Sequence, residues 1–323
     1  MSNARDEAGI GSGSFTADLV PGLTTAAVVV PKALAYATIA LLPVQAGLSA
    51  AFLPMVVYAA LGTSRFLSVS TTTPIAILCA TAIGGALAAD PALPPLTAAA
   101  TLSVLVGALL LAARALKLGF AANFISEPVL TGFKAGVGFV IVVDQVPKLL
   151  GIHFEKAGFF RNVFSIAAHA GELSWPTLGV ALGTLAVIWL CKRFLPKAPA
   201  PLLAIALGIG ATALLGLDAA GVSVIGAIEG GLPTLRLPAP ALFVAMWPAA
   251  AGIALISFTE SIAAARAFAA PGDPPVNANR ELLALGAANA AGAFIGAMPA
   301  GGGTSQTAVS RSAGGQSQVV SLV

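Results

Sequence analysis

The chain has 323 residues, 58% of them hydrophobic and only 9% charged, with a formal net charge of +3. A typical soluble domain carries roughly 25% charged residues, and here apolar runs near the roughly 20 residues that a bilayer-crossing helix needs recur along the whole sequence. This composition excludes a soluble enzyme and a nucleic-acid binder, which would need a clustered basic face. It points to an all-α, polytopic membrane protein.

Residues 1–17 are mixed in charge and lack a basic end leading straight into a short apolar core, so they read as a cytoplasmic tail and not a cleaved signal peptide. The spans then fall, in chain order, at 20–41, 45–61, 66–89, 95–113, 124–151, 174–194, 199–217, 241–265, 281–298 and 303–314. The closing SQVVSLV looks like the start of another span. Connections are short and rich in Pro and Gly, as in PGDPPVNAN. His153 and His169 share one polar loop and read as solvated, and Cys79 and Cys191 as small hydrophobes packed in apolar segments. Asp144 is expected to be structural, with Lys148 one helical turn away. No metal cluster, nucleophile–base constellation or phosphate-binding loop is visible, so an enzyme is not expected.

Positive charge sets the expected orientation. With the N-terminus inside, Arg5, Arg65, Arg114, Lys117, Lys192, Arg193, Lys197, Arg266, Arg280 and Arg311 fall on the cytoplasmic side. Lys148, Lys156, Arg161 and Arg236 fall outside, and Lys32 and Lys134 within spans, a bias that fits the positive-inside rule.

Two polar knots interrupt the apolar sequence. SVSTTTP, Ser68 to Pro74, pairs an extended-looking stretch with a helix start, because Thr before a first-turn Pro caps a helix. GGGTSQTAVS, Gly301 to Ser310, repeats the pattern with Thr304 and Ser305 as cap. Non-helical backbone is tolerated at membrane depth only where protein or a water-filled cavity satisfies it. Each knot is therefore read as a short strand followed by a half-helix. The two enter from opposite sides and point their N-termini at one midplane point, where unpaired N–H donors favour an anion.

At these residues the chain resembles the sulfate permease family. The stretch DLVPGLTTAAVVVPKALAYATIALLPVQAGLSAAFLPMVVYAALGTSRFLSVS is similar to the family's opening, and SEPVLTGFKAGVGFVIVVDQVPKLLG, GAIEGGLPTLRLP, ESIAAARAFA and GAMPAGGGTSQTAV follow in family order. The resemblance covers residues 18–323. It implies the uracil-permease-like fold, fourteen spans in two inverted repeats of seven, with a core and a gate domain. Substrate would lie between the third and tenth spans and near the first and eighth, transport would be elevator-like, and the protein would form a homodimer. By the same comparison the last spans and the family's cytoplasmic STAS domain would be missing.

The resemblance also assigns site residues. Ser70, Thr71, Thr72 and Thr73 stand where relatives commonly have Gly-Pro-x-Ala, and would offer hydroxyls to the anion. Gly303, Thr304, Ser305 and Gln306 occupy the tenth-span motif, with Gln306 where relatives often carry arginine. Lys32 stands where most relatives have glutamine, with Tyr36 one turn on as an aromatic wall. A lysine at mid-span costs about 2.5–3.5 kcal/mol to insert and usually faces a cavity. The positive charge is thus expected to have moved from the tenth span to the first. By its own chemistry, as a carboxylate within a span, Glu260 is the expected coupling site for a proton, or with Thr259 for a sodium ion, the alternative being a structural ion pair with Arg266 or Lys32; no other cofactor is expected.

These residues imply secondary active transport of a small inorganic or carboxylate anion, by symport or exchange, across the plasma (bacterial inner) membrane. Sulfate is the default substrate, with bicarbonate, chloride and dicarboxylates open. A nucleobase permease of the same fold and a truncated, non-transporting membrane protein are the alternatives.

Overall fold

The computed structural model describes residues 15–124, 127–154, 159–195, 200–224, 231, 233–270 and 272–323. The helices are α1 (Phe15–Ile39), α2 (Val44–Leu61), α3 (Thr73–Ala89), α4 (Pro95–Ala115), α5 (Glu127–Leu150), α6 (Phe159–Ala168), α7 (Trp175–Phe194), α8 (Ala200–Leu215), α9 (Phe243–Phe268), α10 (Ala278–Ala293) and α11 (Thr304–Ser312). Two short strands, β1 (Val69–Ser70) and β2 (Gly301–Gly302), immediately precede the helices expected to start at the two knots. Among the described residues, five stretches are long and apolar enough to cross a membrane: Ala17–Ile39, Val44–Leu61, Pro95–Ala115, Trp175–Phe194 and Pro240–Phe268. The protein is a multi-pass membrane protein.

The span boundaries follow the sequence to within about five residues, α1 starting at Phe15 inside the expected tail and α10 ending at Ala293 and not at residue 298, with three further differences. The loop expected to hold only His153 and His169 contains α6. The ninth expected span, α10, begins at Ala278 and not at residue 281, because the Asn277 side chain accepts the Arg280 N–H and caps it. The SQVVSLV segment forms a 3₁₀ turn over Gln318–Ser321, started by Ser317, whose hydroxyl accepts the Val319 N–H. Lys134 and Asp144 have side chains outside the described set, as do the structures of Arg5, Lys156 and Lys197.

The chain divides into two compact units, residues 1–130 with 228–323, and residues 131–227. In the first, α10 packs along α4 and α2, and α9 along α4. Small residues permit the close approaches. A Cβ on Gly107 of α4 would lie 2.8 Å from the Ala290 nitrogen and the Gly286 oxygen of α10. One on Gly47 of α2 would lie 1.9 Å from the Ala33 carbonyl oxygen of α1. Hydrophobic attraction cannot assemble helices already in lipid, so such small-residue packing and interhelical hydrogen bonds carry the association.

One buried polar cluster fixes the loop that leads into β1. Glu281, fully buried on α10, accepts hydrogen bonds from Tyr58 Oη (2.8 Å), the Thr63 N–H (2.8 Å) and the Thr63 hydroxyl. A buried carboxylate is tolerated where its lone pairs are filled in this way. At the other end of the same loop, Gln318 donates to the carbonyls of Ser64 (2.7 Å) and Leu67 (3.0 Å).

In the second unit, α7 and α8 pack against each other. Ser174 caps α7 by accepting the Thr177 N–H.

Candidate functional site

The two knots meet. β1 and β2 pair antiparallel, Val69 opposite Gly302 and Ser70 opposite Gly301, and the Gly303 N–H extends the ladder to the Ser68 carbonyl (2.9 Å). A two-residue ladder is too short to hold itself; side chains from the surrounding helices complete it. Ser261 of α9 accepts the Gly302 N–H (2.7 Å), and Asn289 of α10 accepts the Ala300 N–H (2.8 Å). The Ala300 carbonyl accepts from Ser257 (2.8 Å) and Asn289 (3.1 Å), the Pro299 carbonyl from Thr71 (2.8 Å), and the Ala297 carbonyl from Ser103 (2.7 Å). The non-helical backbone is thus satisfied by protein, as membrane depth demands. None of Asn289, Ser257, Ser261 or Ser103 was assigned this role from sequence. The available signal was the i, i+4 spacing of Ser257 and Ser261 on one face of an apolar helix.

The glycines of the second knot are required by space. A Cβ on Gly302 would lie 2.7 Å from Ser261 Cα and 2.8 Å from Leu67 Cδ1; one on Gly301 would lie 3.0 Å from Ile75 Cδ1. The cap position of α11 is taken by Gly303 and not by the expected Thr304 and Ser305, which are the first helical residues; Gly303 is buried, and the Thr307 N–H donates to its carbonyl (3.0 Å) to begin α11.

Most of the expected site residues come together here. Lys32 Nζ of α1 donates to the Ser305 hydroxyl in the first turn of α11. Tyr36, one turn on, accepts a hydrogen bond from the Thr73 hydroxyl (3.2 Å) at the first residue of α3. Thr72 donates to Glu260 of α9 (2.8 Å). Lys32, Tyr36, Thr72, Thr73, Glu260, Thr304 and Ser305 are all partly exposed.

Four expected residues turn elsewhere. Gln306 is 3% exposed, and its amide binds the Ser68 carbonyl (2.9 Å) and the Ser70 hydroxyl (2.9 Å). Expected to replace an arginine beside the anion, it instead joins the two knots, and Ser70 is occupied with it. Thr71 is occupied with Pro299. Thr259, expected beside the coupling ion, donates to the Leu255 carbonyl of its own helix (2.8 Å). Arg266 donates to the Ala122 carbonyl, and Arg311 to that of Phe268 (2.8 Å) with its guanidinium over the Phe66 ring.

The arrangement has a definite chemistry. The Thr304, Ser305 and Gln306 N–H groups precede the first helical bond of α11, and α3 offers its own first turn, less one donor at Pro74. The Lys32 ammonium, the hydroxyls of Tyr36, Thr72, Thr73 and Ser305, and two helix N-termini share this region with the Glu260 carboxylate. Among the described residues no group of three or more His, Cys, Asp or Glu side chains could hold a metal ion.

Known proteins match this chain over nearly its whole length. The family described as the sulfate permease family matches residues 15–323. A probable sulfate transporter of Mycobacterium tuberculosis is 39% identical over 308 residues, covering 95% of this chain and 55% of the relative. Chloroplastic sulfate transporter 4.1 of Arabidopsis thaliana is 33% identical over 306 residues, covering 91% and 44%. The chain thus spans about half the length of the curated relatives it matches. In structure it is similar to the transmembrane domain of the cyanobacterial bicarbonate transporter BicA, with a TM-score of 0.72, 27% identity, and 95% and 78% of the two chains covered. A murine solute carrier 26 family anion transporter in the inward-facing state shares the fold, with a TM-score of 0.74 at 23% identity over 96% and 55% of the chains. With the family match over residues 15–323, the chain belongs to the sulfate permease family.

Proposed function

We propose that this chain forms the anion-binding part of a secondary transporter for a small inorganic or carboxylate anion. One observation carries the reading: the Lys32 ammonium is hydrogen-bonded into the first turn of α11. A helix N-terminus carries roughly half a positive charge, and the ammonium beside it adds to the positive field that an anion would meet there. The first-turn N–H groups of α3 and α11, with Lys32 and Ser305, are the direct ligands. Thr72, Thr73 and Tyr36 line the rest. Gly303 and Thr304 shape the first turn of α11, while Ser70, Thr71 and Gln306 hold the strands behind it.

Glu260 sits one hydrogen bond from this wall, through Thr72, and is the coupling site for a proton or sodium ion in symport or exchange. Elevator-type movement in an inverted-repeat homodimer of the plasma (bacterial inner) membrane, N-terminus inside, completes the reading. Its support is the family and the relatives named as sulfate transporters. Sulfate is the first anion to test, then bicarbonate and chloride. The test is titration of the purified protein with sodium sulfate against sodium gluconate at fixed ionic strength, followed by tryptophan fluorescence. Saturable sulfate binding that Lys32→Gln weakens is expected; binding unaffected by Lys32→Gln would overturn the site.

A further inference from the structure

The second unit carries a helix whose amphipathic sense is inverted. Along α6, Phe160 is 76% exposed and Phe164 74%, and Val163 and Ala167 are exposed on the same face, whereas Asn162 is 8% exposed. These exposed positions recur at the three- and four-residue spacing of one helix face. Water outside the helix would favour the opposite arrangement, with asparagine out and phenylalanine in. The surroundings of this face are therefore apolar.

The fold fixes where that face lies. The Ser174 N–H, just before α7, donates to the Leu150 carbonyl at the end of α5 (3.0 Å). The excursion from residue 151 to residue 174 therefore leaves and returns at one level, where one apolar helix ends and a membrane-crossing one begins. The Phe154 and His169 rings, at 5.6 Å, close the excursion again on either side of α6. A helix of 10 residues is about 15 Å long, too short to cross a bilayer of roughly 30 Å. Trp175, also exposed, opens α7 at this level, and tryptophan collects at membrane–water interfaces. Arg161, on α6 itself, and Lys148, in the last turn of α5, are both exposed and positively charged.

We propose that α6 is an in-plane interfacial helix that buries Phe160, Val163, Phe164 and Ala167 in the boundary between lipid headgroups and acyl chains. Apolar area and attraction of basic side chains to phosphates together hold such a helix, and here they fix the depth of the second unit. The occupant of the face is the lipid surface. A second copy of the chain is the rival occupant, and the two give different spectra.

The test is electron paramagnetic resonance on the whole chain in phosphatidylcholine–phosphatidylglycerol vesicles. Single cysteines at Phe160, Arg161, Val163, Phe164 and Ala167 would carry nitroxides in a background with Cys79→Ala and Cys191→Ala. Leu185→Cys, exposed on α7, is the lipid control, and Asp218→Cys, exposed in a turn, is the water control. Oxygen and nickel-chelate accessibilities should place the labels at 160, 163, 164 and 167 about 5–10 Å below the phosphates, with position 161 shallower. Should one phenylalanine variant fail to fold, the others still read the periodicity. Chelate access at 164 equal to that at 218 would overturn the proposal. So would dipolar broadening between labels at 164 on two copies.

Discussion

At the start of α3 the helix break is made of hydroxyls, whereas at the start of α11 it is made of glycine. Thr71, Thr72 and Thr73 each send a side chain to a different partner, Pro299, Glu260 and Tyr36. The second knot receives bonds more than it gives them: Ser261 and Asn289 reach in to its backbone, and its glycines clear the space. One break is thus held by what its side chains touch and the other by how closely its backbone is approached. Variants at the two should fail differently, the second in stability and the first in ligand chemistry.

The largest effect is expected at Gly302. Gly302→Val puts a side chain onto Ser261 Cα, a backbone atom that cannot move aside, and should cost about 3 kcal/mol, the upper end for overpacking. Gly85→Ala on α3 meets nothing within 4 Å and should be neutral or stabilise by about 0.5–1 kcal/mol, the ordinary helix gain over glycine. Thermal unfolding in detergent would show the pair well apart; equal midpoints would mean that the close approach at β2 is not required.

Next comes Asn289→Leu. It strands the buried Ala300 N–H, at a cost of about 1–3 kcal/mol. Thr71→Val removes a bond to the Pro299 carbonyl from the first knot and should cost less, about 1 kcal/mol. If Thr71→Val proves the more damaging of the two, the division of labour between the knots is reversed.

How much of this was legible in the sequence depends on whether the signal is local. The helix starts at Thr73-Pro74 and Thr304 were readable, because a first-turn proline and a glycine run are local signals, although neither start carries the side-chain capping bond that its threonines suggest. The register of Val69 on Gly302 joins residues far apart in the chain, and nothing near either strand encodes it. Asn289 and Ser103 are single polar residues on apolar helices, so no periodicity separates a backbone clamp from a neutral occupant. Gln306 was read by its position in a motif, and its burial against Ser68 and Ser70 depends on the strand pairing that the sequence hides. The helix α6 was missed because its apolar face points outward within a polar connection. Pairwise contacts across the site, such as Lys32 with Ser305, were anticipated as a shared region but not as particular bonds.

Lys32→Gln sharpens the comparison at the ligand. A charged hydrogen bond is worth about 1.5–3 kcal/mol, so sulfate affinity should fall about tenfold or more while the unfolding midpoint stays put or rises. Adding Gln306→Arg tests whether the charge can move between spans. With position 306 buried against the strands, no recovery is expected. Recovery of sulfate affinity in the double variant would place residue 306 beside the anion after all.

The smallest effect, and the finest test of the first knot, separates Thr72 from Thr259. The sequence pairs Thr259 with Glu260 because they are neighbours, but adjacent residues on a helix point about 100° apart. The Thr259 hydroxyl donates back to Leu255 on its own helix, whereas Thr72 donates to Glu260 across the site. The Thr259 hydroxyl also lies 3.2 Å from the Ile256 carbonyl, so removing it costs only contacts within its own helix. Removing the Thr72 hydroxyl leaves the carboxylate short of a donor. Thr259→Ala should change gradient-driven anion uptake by less than about twofold, and Thr72→Val should lower it by roughly fivefold, about one net hydrogen bond. Sulfate binding without a gradient should be nearly the same in both, because neither hydroxyl replaces Lys32 or the helix N-termini. Uptake measured in vesicles with proton and sodium gradients applied separately decides the matter. Should Thr259→Ala abolish sodium-driven uptake while Thr72→Val leaves it intact, the ion lies along α9, and the first knot has no part in coupling.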